Sequence, residues 1–291
     1  MLLSDCQIVF PVRDYDLDAT LTSGQAFRWD LRQGVWEGVI RTHSVRLRAV
    51  EGGILAEAAA PLTDWSWLSD YLQTKVDLDA VLLSFPDDEP LQAARLACRG
   101  LRLLRQDPWE CLASFILSST KQIVQIRQIV ALLCERFGAP LLAPPGSEPV
   151  WAFPTAARLA GLTEADLRAC KMGFRAPNLL AAARAVAEPS IDLESLRHRN
   201  VHDARADLVK LRGVGNKIAN CVLLFAYGFQ EAFPIDVWVL KALRQLYFPK
   251  RRPSPRRLIR FTESYFGHNA GYAQQYLFHY MRQRRLRAAR T

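Results

Sequence analysis

The sequence predicts an α+β protein: an N-terminal antiparallel β-sheet domain followed by an all-helical domain built around a helix-hairpin-helix. Three observations carry this expectation. Residues 34 to 58 hold three short stretches bounded by glycine, and in "SVRLRAV" Val45, Leu47 and Ala49 alternate with Arg46 and Arg48, the period-2 pattern of a half-buried strand. "GVWEGVI" and "GGILAEA" flank it as its antiparallel neighbours. From about Trp65 the texture becomes helical. In "PWECLASFILSSTKQIVQIRQIVALLCERFG" Leu112, Phe115, Ile116, Ile123, Ile126, Ile129, Val130 and Leu133 recur at helical spacing, and Gly138 can end the run. "FPDDEP" marks a turn near the change of texture, and "GAPLLAPPGSEP" is a loop between helices. The domain change is placed near residues 85 to 105, giving a β domain over 1–95, a helical domain over 96–285 and a basic tail over 286–291.

Composition narrows the chemistry. Half of the 291 residues are hydrophobic, enough for one or two substantial cores, and no apolar run approaches the roughly 20 residues of a membrane span. The opening "MLLSDCQIVFPVRDYD" lacks a basic head and a long apolar stretch, so a soluble intracellular protein is expected, in cytoplasm, nucleoid or nucleus. The six cysteines form no CxxC pair and the five histidines no HExxH, which argues against zinc, an iron-sulfur cluster or a disulfide scaffold. No cofactor is required, and ordinary side chains must do the chemistry. The net charge of +9 is unevenly spread: residues 241–291 alone carry +12, with Glu263 as their one acid, and the rest of the chain sums to −3. Runs such as "PKRRPSPRR" and "RQRRLRAAR" point to a polyanionic partner.

The stretch "HDARADLVKLRGVGNKIANCVLLFAYG" reads as helix, tight turn, helix, with Asn216 near the second helix's start and Gly228 at its end. Gly213 and Gly215 allow a sharp turn, so the amides opening the second helix can face a phosphate oxygen. Lys217 lies in that helix's first turn, where the dipole disfavours a cation, a setting that suits a nucleophilic amine as well as a phosphate contact. Asp236, after "FP" and before "VWVLKALRQLYF", is placed to cap a helix, and the cap bonds should keep it ionised and able to stabilise positive charge on a sugar.

A glycine-rich hairpin, then Lys217, then Pro-Ile-Asp236 resembles the helix-hairpin-helix superfamily of base-excision DNA glycosylases, and within it the 8-oxoguanine DNA glycosylases. "LTSGQAFRW", "QDPWECLASFILSS", "MGFRAPNLL" and "AGYAQQYLF" extend the resemblance over nearly the whole chain. The resemblance implies a bifunctional glycosylase and lyase acting as a monomer on duplex DNA containing an oxidised guanine. Lys217 attacks C1′, expels the base and forms a Schiff base, after which β-elimination nicks the strand. Asp236 supports the cationic sugar and helps deprotonate Lys217. Cys221 and Phe278 sandwich the flipped base, Gln274 reads its Watson-Crick edge, and the Gly24 carbonyl accepts the N7 hydrogen that distinguishes the lesion from guanine. Phe174 and Arg175 serve the estranged partner base, and backbone carbonyls of Val209, Leu211 and Val214 hold a monovalent or divalent cation. Thr120 and Gln125, DNA-binding positions on the same resemblance, stand where well-known members have an asparagine and the arginine that reads the opposite cytosine, and Trp238 stands where they have a histidine that contacts the phosphate or the active site. Two alternatives stay open: a monofunctional glycosylase for alkylated bases, which does not need Lys217, and a non-catalytic DNA-binding module.

Overall fold

A computed structural model describes residues 2–188, 190–250 and 252–288. Six strands form one antiparallel sheet: β1 (Leu2–Ser4), β2 (Gln7–Pro11), β3 (Trp29–Arg32), β4 (Val35–Ile40), β5 (His43–Val50) and β6 (Gly53–Ala58), in the order β1-β2-β6-β5-β4-β3. The three expected strands are its centre. The alternation in β5 sets the register, pairing Leu47 with Trp36 on one side and Ala56 on the other, so that Val45, Leu47, Ile54 and Ala56 share the buried face. Gly38 lies opposite Trp29 on β3, and a side chain there would collide with the indole, which is almost fully buried and donates to the Tyr71 hydroxyl at 2.9 Å.

Helices account for most of the rest: α1 (Leu17–Thr22), α2 (Ser66–Leu72), α3 (Leu78–Leu83), α4 (Glu89–Ala97), α5 (Pro108–Leu117), α6 (Ile123–Phe137), α7 (Ala156–Ala160), α8 (Glu164–Arg168), α9 (Ala176–Ala187), α10 (Val201–Leu208), α11 (Asn216–Val222), α12 (Val237–Ala242), α13 (Pro255–Tyr265) and α14 (Ala270–Ala288). Many start on a side-chain cap, among them Asp16, Asp77, Asp88, Asp107, Asn200, Asp236 and Ser254. The long helical run of residues 108–137 is two helices, broken at "SSTKQ", where Thr120 takes a positive φ of 56°. Its five residues are all polar, but the apolar positions resume at helical spacing across it, Ile116 and Ile123 being two turns apart, which hides the break from periodicity. In α5 every residue from Cys111 to Leu117 is buried, whereas α6 buries one face through Ile126, Ile129, Val130 and Leu133. The proline-rich loop is pinned by a ribbon of β7 (Pro140–Leu141) on β8 (Val150–Trp151), too short to leave a pattern in sequence. Of the tail, residues 286–288 continue α14 and 289–291 lie outside the described residues.

Two cores result. One lies on the sheet and includes Leu17, Leu21, Trp65, Leu68 and Leu72. The other is helical, centred on α5, and takes in Leu78, Leu82 and Leu91 of α3 and α4. Between them runs the segment Leu101–Gln106, in no regular element yet largely buried, so its backbone groups need partners from elsewhere. Side chains supply several. Gln25, fully buried, accepts the Leu104 N–H at 2.8 Å and donates to the carbonyls of Arg102 at 2.8 Å and Thr20 at 3.0 Å. Thr20 Oγ1 accepts the Arg102 N–H, and the Gln106 amide donates to the Gln25 carbonyl at 2.7 Å. From α14, Gln275 donates to the Ser23 carbonyl at 3.0 Å. The turn Ser23-Gly24-Gln25 is thereby tied to both cores.

Replacing Gln25 with leucine would fill the space but strip the Leu104 N–H and the Arg102 carbonyl of these partners, while the Thr20 carbonyl keeps the Ser23 hydroxyl at 3.1 Å. At about 1 to 3 kcal/mol for each of the two buried groups left unsatisfied, urea unfolding of Gln25→Leu should show a loss of about 2 to 6 kcal/mol. A loss under about 1 kcal/mol would mean that the turn is not clamped.

Candidate active site

The hairpin joins α10 to α11 through Leu211–Gly215. Gly213 has a φ of 81°, and a side chain there would run into the Asn178 amide, so this glycine is required by conformation and by space. Gly215 is different. As the N-cap of α11 it is extended, with φ −99° and ψ 179°, and an added Cβ would meet nothing within 4 Å. What glycine provides there is an unobstructed approach to the first amides of α11, the surface a phosphate oxygen needs.

Lys217 points from the first turn of α11 across to the end of α5. Its Nζ donates to Ser118 Oγ at 3.0 Å and lies 5.0 Å from the centre of the Phe115 ring. Ser118 is the C-cap residue of α5, and its hydroxyl in turn donates to the Phe115 carbonyl at 2.7 Å. The unfavourable dipole of α11 is therefore met by the electronegative end of α5 and by an aromatic face, an offset that α11's own sequence does not reveal. Cys221, one turn further on, is buried beside the amine. Burial pushes its thiol up to about 11, with Lys217 pulling the other way and Asp236 adding to the rise.

Asp236 caps α12: Oδ1 accepts the N–H groups of Trp238 at 2.9 Å and Val239 at 2.8 Å. The expectation that capping alone sets its ionisation needs correcting. Burial raises the carboxyl above its ordinary value, and the opposing pulls of the Val239 N–H, Lys217, the Trp238 N–H and Arg282 do not fully restore it. Trp238 turns its ring toward the last helix, where the Arg285 guanidinium lies 5.4 Å away.

Gly24 adopts a φ of 78°, and a Cβ there would approach Ile123 Cδ1 to 2.7 Å and the Phe278 ring to 3.5 Å. Gln274, Phe278 and Arg282 follow one face of α14 at four-residue spacing. Gln274 is 3 % exposed, and its Oε1 has no hydrogen-bond partner among the described residues. Such a group costs stability unless something binds it. The Arg282 guanidinium lies 5.4 Å from the Phe278 ring, donates to the Thr22 carbonyl at 3.1 Å and interacts electrostatically with Asp236. Lys217, Cys221 and Asp236 thus meet in one place, and the Gly24 turn, Phe278 and Arg282 connect to it.

Phe174, Arg175 and Thr120 form a second neighbourhood. Phe174 is 59 % exposed, and the Arg175 guanidinium lies 4.2 Å from the centre of its ring. Arg175 is only 3 % exposed: Nε donates to the Ser119 carbonyl at 2.7 Å, Nη1 to the Met172 carbonyl at 3.1 Å and Nη2 to Thr120 Oγ1 at 2.6 Å. In this arrangement its guanidinium holds up the Ser118–Thr120 turn and faces inward, so reading a base would require it to leave these partners. Gln125 spends its side-chain carbonyl on the Gln122 N–H at the start of α6. Thr120 and Gln125, two of the three positions that depart from well-known members, are thus both occupied with local structure.

Sequence reasoning passed over Phe115, Ser118 and Arg282. Ser118 and Phe115 lie inside "FILSS" and its approach, where a buried helix conceals which residues line a site. Arg282 is detectable, being four residues beyond Phe278 on a helix whose Gln274 and Phe278 were already candidates. Among the described residues no cluster of three or more His, Cys, Asp or Glu side chains is arranged to hold a metal.

Residues 7–112 match the N-terminal domain of 8-oxoguanine DNA glycosylase, and residues 113–267 match the HhH-GPD superfamily of base excision DNA repair proteins. A probable N-glycosylase/DNA lyase of Methanothermobacter thermautotrophicus is 30 % identical, over 94 % of this chain and 95 % of its own length. The N-glycosylase/DNA lyase OGG1 of Arabidopsis thaliana is 31 % identical over 92 % of this chain and 79 % of its own. Among solved structures, the Clostridium acetobutylicum 8-oxoguanine glycosylase/lyase, in complex with duplex DNA carrying cytosine opposite 8-oxoguanine, superposes with a TM-score of 0.88 at 28 % identity, covering 97 % of this chain and all of that one. The chain therefore belongs to the HhH-GPD superfamily of base excision DNA repair proteins, in the branch that carries the 8-oxoguanine DNA glycosylase N-terminal domain.

Proposed function

We propose that this protein is a bifunctional 8-oxoguanine DNA glycosylase and lyase in which Lys217 is the nucleophile. The observation that carries the reading is the meeting of Lys217, Cys221 and Asp236 beside the Gly24 turn and Phe278. A DNA-binding module would have no use for a half-buried lysine held on Ser118 over an aromatic ring. A monofunctional enzyme would have none for an amine at the sugar's position.

The target nucleotide must leave the helix, because C1′ is out of reach within a stacked duplex. Phe174 is exposed where a wedge could fill the gap left behind. The neutral Lys217 amine attacks C1′ as the bond to N9 breaks, and the bonding pair departs with the base, which takes up a proton. The attached amine then gives up one proton, and the C1′–O4′ bond breaks with its electron pair and a proton going to O4′ as a hydroxyl, which opens the sugar ring and leaves a protonated Schiff base at C1′. Removal of a C2′ proton then expels the 3′ phosphate. Asp236 faces the positive charge that develops on the sugar, in a poorly hydrated place where such an interaction is strong. The unpartnered Gln274 carboxamide is available to the base edge, Cys221 and Phe278 to its two faces, and the Gly24 carbonyl to N7–H. Normal guanine has only an acceptor at N7 and would leave that carbonyl desolvated and unpaired, at about 1 to 3 kcal/mol.

Gly213 and Gly215 bring the hairpin amides to the DNA backbone. The Leu211 carbonyl accepts one hydrogen bond, from the Val214 N–H at 3.0 Å, which leaves it a second lone pair. With the carbonyls of Val209 and Val214 it offers the hard oxygen donors that a monovalent or divalent cation takes, and such an ion would stiffen the turn. The protein acts as a monomer inside the cell, where its duplex substrate is. With Gln125 engaged in capping and Arg175 folded inward, we further propose that discrimination among the bases opposite the lesion is weak.

Duplexes with 8-oxoguanine opposite each of the four bases, scored separately for base release and strand nicking, test lesion and partner together. Excision should occur with all four, within about tenfold of one another. Confinement to cytosine would contradict weak discrimination, and release of alkylated bases with no nicking would favour the monofunctional reading. Asp236 supplies a second prediction. Its raised carboxyl means that the folded state holds the proton more tightly than the unfolded one. Stability from this group is full below the ordinary carboxylate range, at about pH 4, and is lost as pH rises through the folded value. Asp236→Asn retains a cap acceptor without the charge. Its unfolding midpoint should exceed that of the parent at pH 7, with the gap closing below about pH 4, while excision falls at least tenfold.

A further inference from the structure

The sequence concentrates positive charge after residue 240, yet the site described above uses little of it. Val237, Leu240, Lys241 and Arg244 form a stripe at helical spacing along α12 and the π-helical turn that extends it, and they make one wall of an open groove. The loop after Phe248, with Lys250 and Arg252, makes the other. Val237 is 76 % exposed, all four basic residues are exposed, and no acidic side chain among the described residues lines the groove. Among the described residues none of the four has a carboxylate partner within 4.0 Å, whereas Arg28, Arg46, Arg127, Arg168 and Arg197 are all ion-paired. Four unneutralised cations around one groove repel one another, a cost that an anionic partner removes.

We infer that this groove is a second phosphate-binding surface, which grips duplex DNA beside the lesion independently of the hairpin. The occupant follows from charge and position. The groove begins at Val237, next to Asp236, on the helix that Asp236 caps. From Asp236 to Arg244 the helix covers about 12 Å at 1.5 Å per residue. This corresponds to three or four nucleotides at about 3.4 Å rise along one strand. A strand that delivers a nucleotide to Asp236 passes the groove within that distance. The contacts are to the backbone and carry no sequence or lesion information.

The inference rests on the protein binding DNA, and the test separates it from the glycosylase reading. Binding of the full-length protein to a 30-base-pair duplex, with and without one 8-oxoguanine, is followed by fluorescence anisotropy across a range of salt concentrations. In Lys241→Gln/Arg244→Gln the slope of log K against log salt should become shallower by about two, one for each phosphate contact removed. Affinity should fall by the same factor for lesion and lesion-free duplexes. The charge-preserving Lys241→Arg/Arg244→Lys should keep the parental slope. A glutamine variant with the parental unfolding midpoint and the parental slope overturns the inference, whatever the protein does to the lesion. Salt-sensitive binding through the groove without base release would sustain it while removing the glycosylase reading.

Discussion

Lys217 and Asp236 are an amine and a carboxyl held at the starts of two different helices in a half-buried cleft, and the placement of the remaining site follows from keeping them there. Asp236 is fixed by two N–H bonds of α12 against a burial that favours its neutral form. Lys217 is fixed by the Ser118 hydroxyl at the end of α5. Since α5 is buried along nearly its whole length, Ser118 cannot move without disturbing the helical core, and the amine inherits that rigidity. The carboxyl's raised value is a stability cost retained at the point where a charge is useful.

The opposing wall has an equally firm basis. Gly24 belongs to a turn whose neighbours on both sides are tied down: Ser23 by Gln275, and Gln25 by Arg102, Leu104 and Gln106. These bonds cross from the sheet core to the helical core, so the geometry of the Gly24 carbonyl depends on how the two parts dock. A fold with a separate sheet is thereby joined to the chemistry on the helical side. Glycine is needed at 24 because of its positive φ and the closeness of Ile123 and Phe278, whichever ligand enters.

Much of this is legible from residues. The alternation of Val45 and Leu47 identifies the sheet centre, and the aspartate before a helical run identifies the Asp236 cap, because both depend on local pattern. The outer strands β1, β2 and β3, the break at Thr120 and the β7-β8 ribbon escape, because short pairings and a single left-handed residue have no periodicity. The linker Leu101–Gln106 escapes for another reason: its hydrogen bonds come from side chains up to 175 residues away. The same limit applies at the site. Lys217, Asp236, Gly24 and Gln274 are found by motif, but that Ser118 receives the amine and that Arg175 folds inward are tertiary facts. Resemblance assigns Arg175 to a base, while its own surroundings engage it with the Ser118–Thr120 turn.

The most direct measurement of the central claim is covalent trapping. The protein is incubated with a duplex containing one 8-oxoguanine in the presence of borohydride, and the adduct is digested and its attachment site located by mass spectrometry. A reduced secondary amine on Lys217, formed by the parent and absent from Lys217→Gln folded to the parental midpoint, is the predicted result. An adduct on another lysine, or base release with no adduct at all, would contradict it.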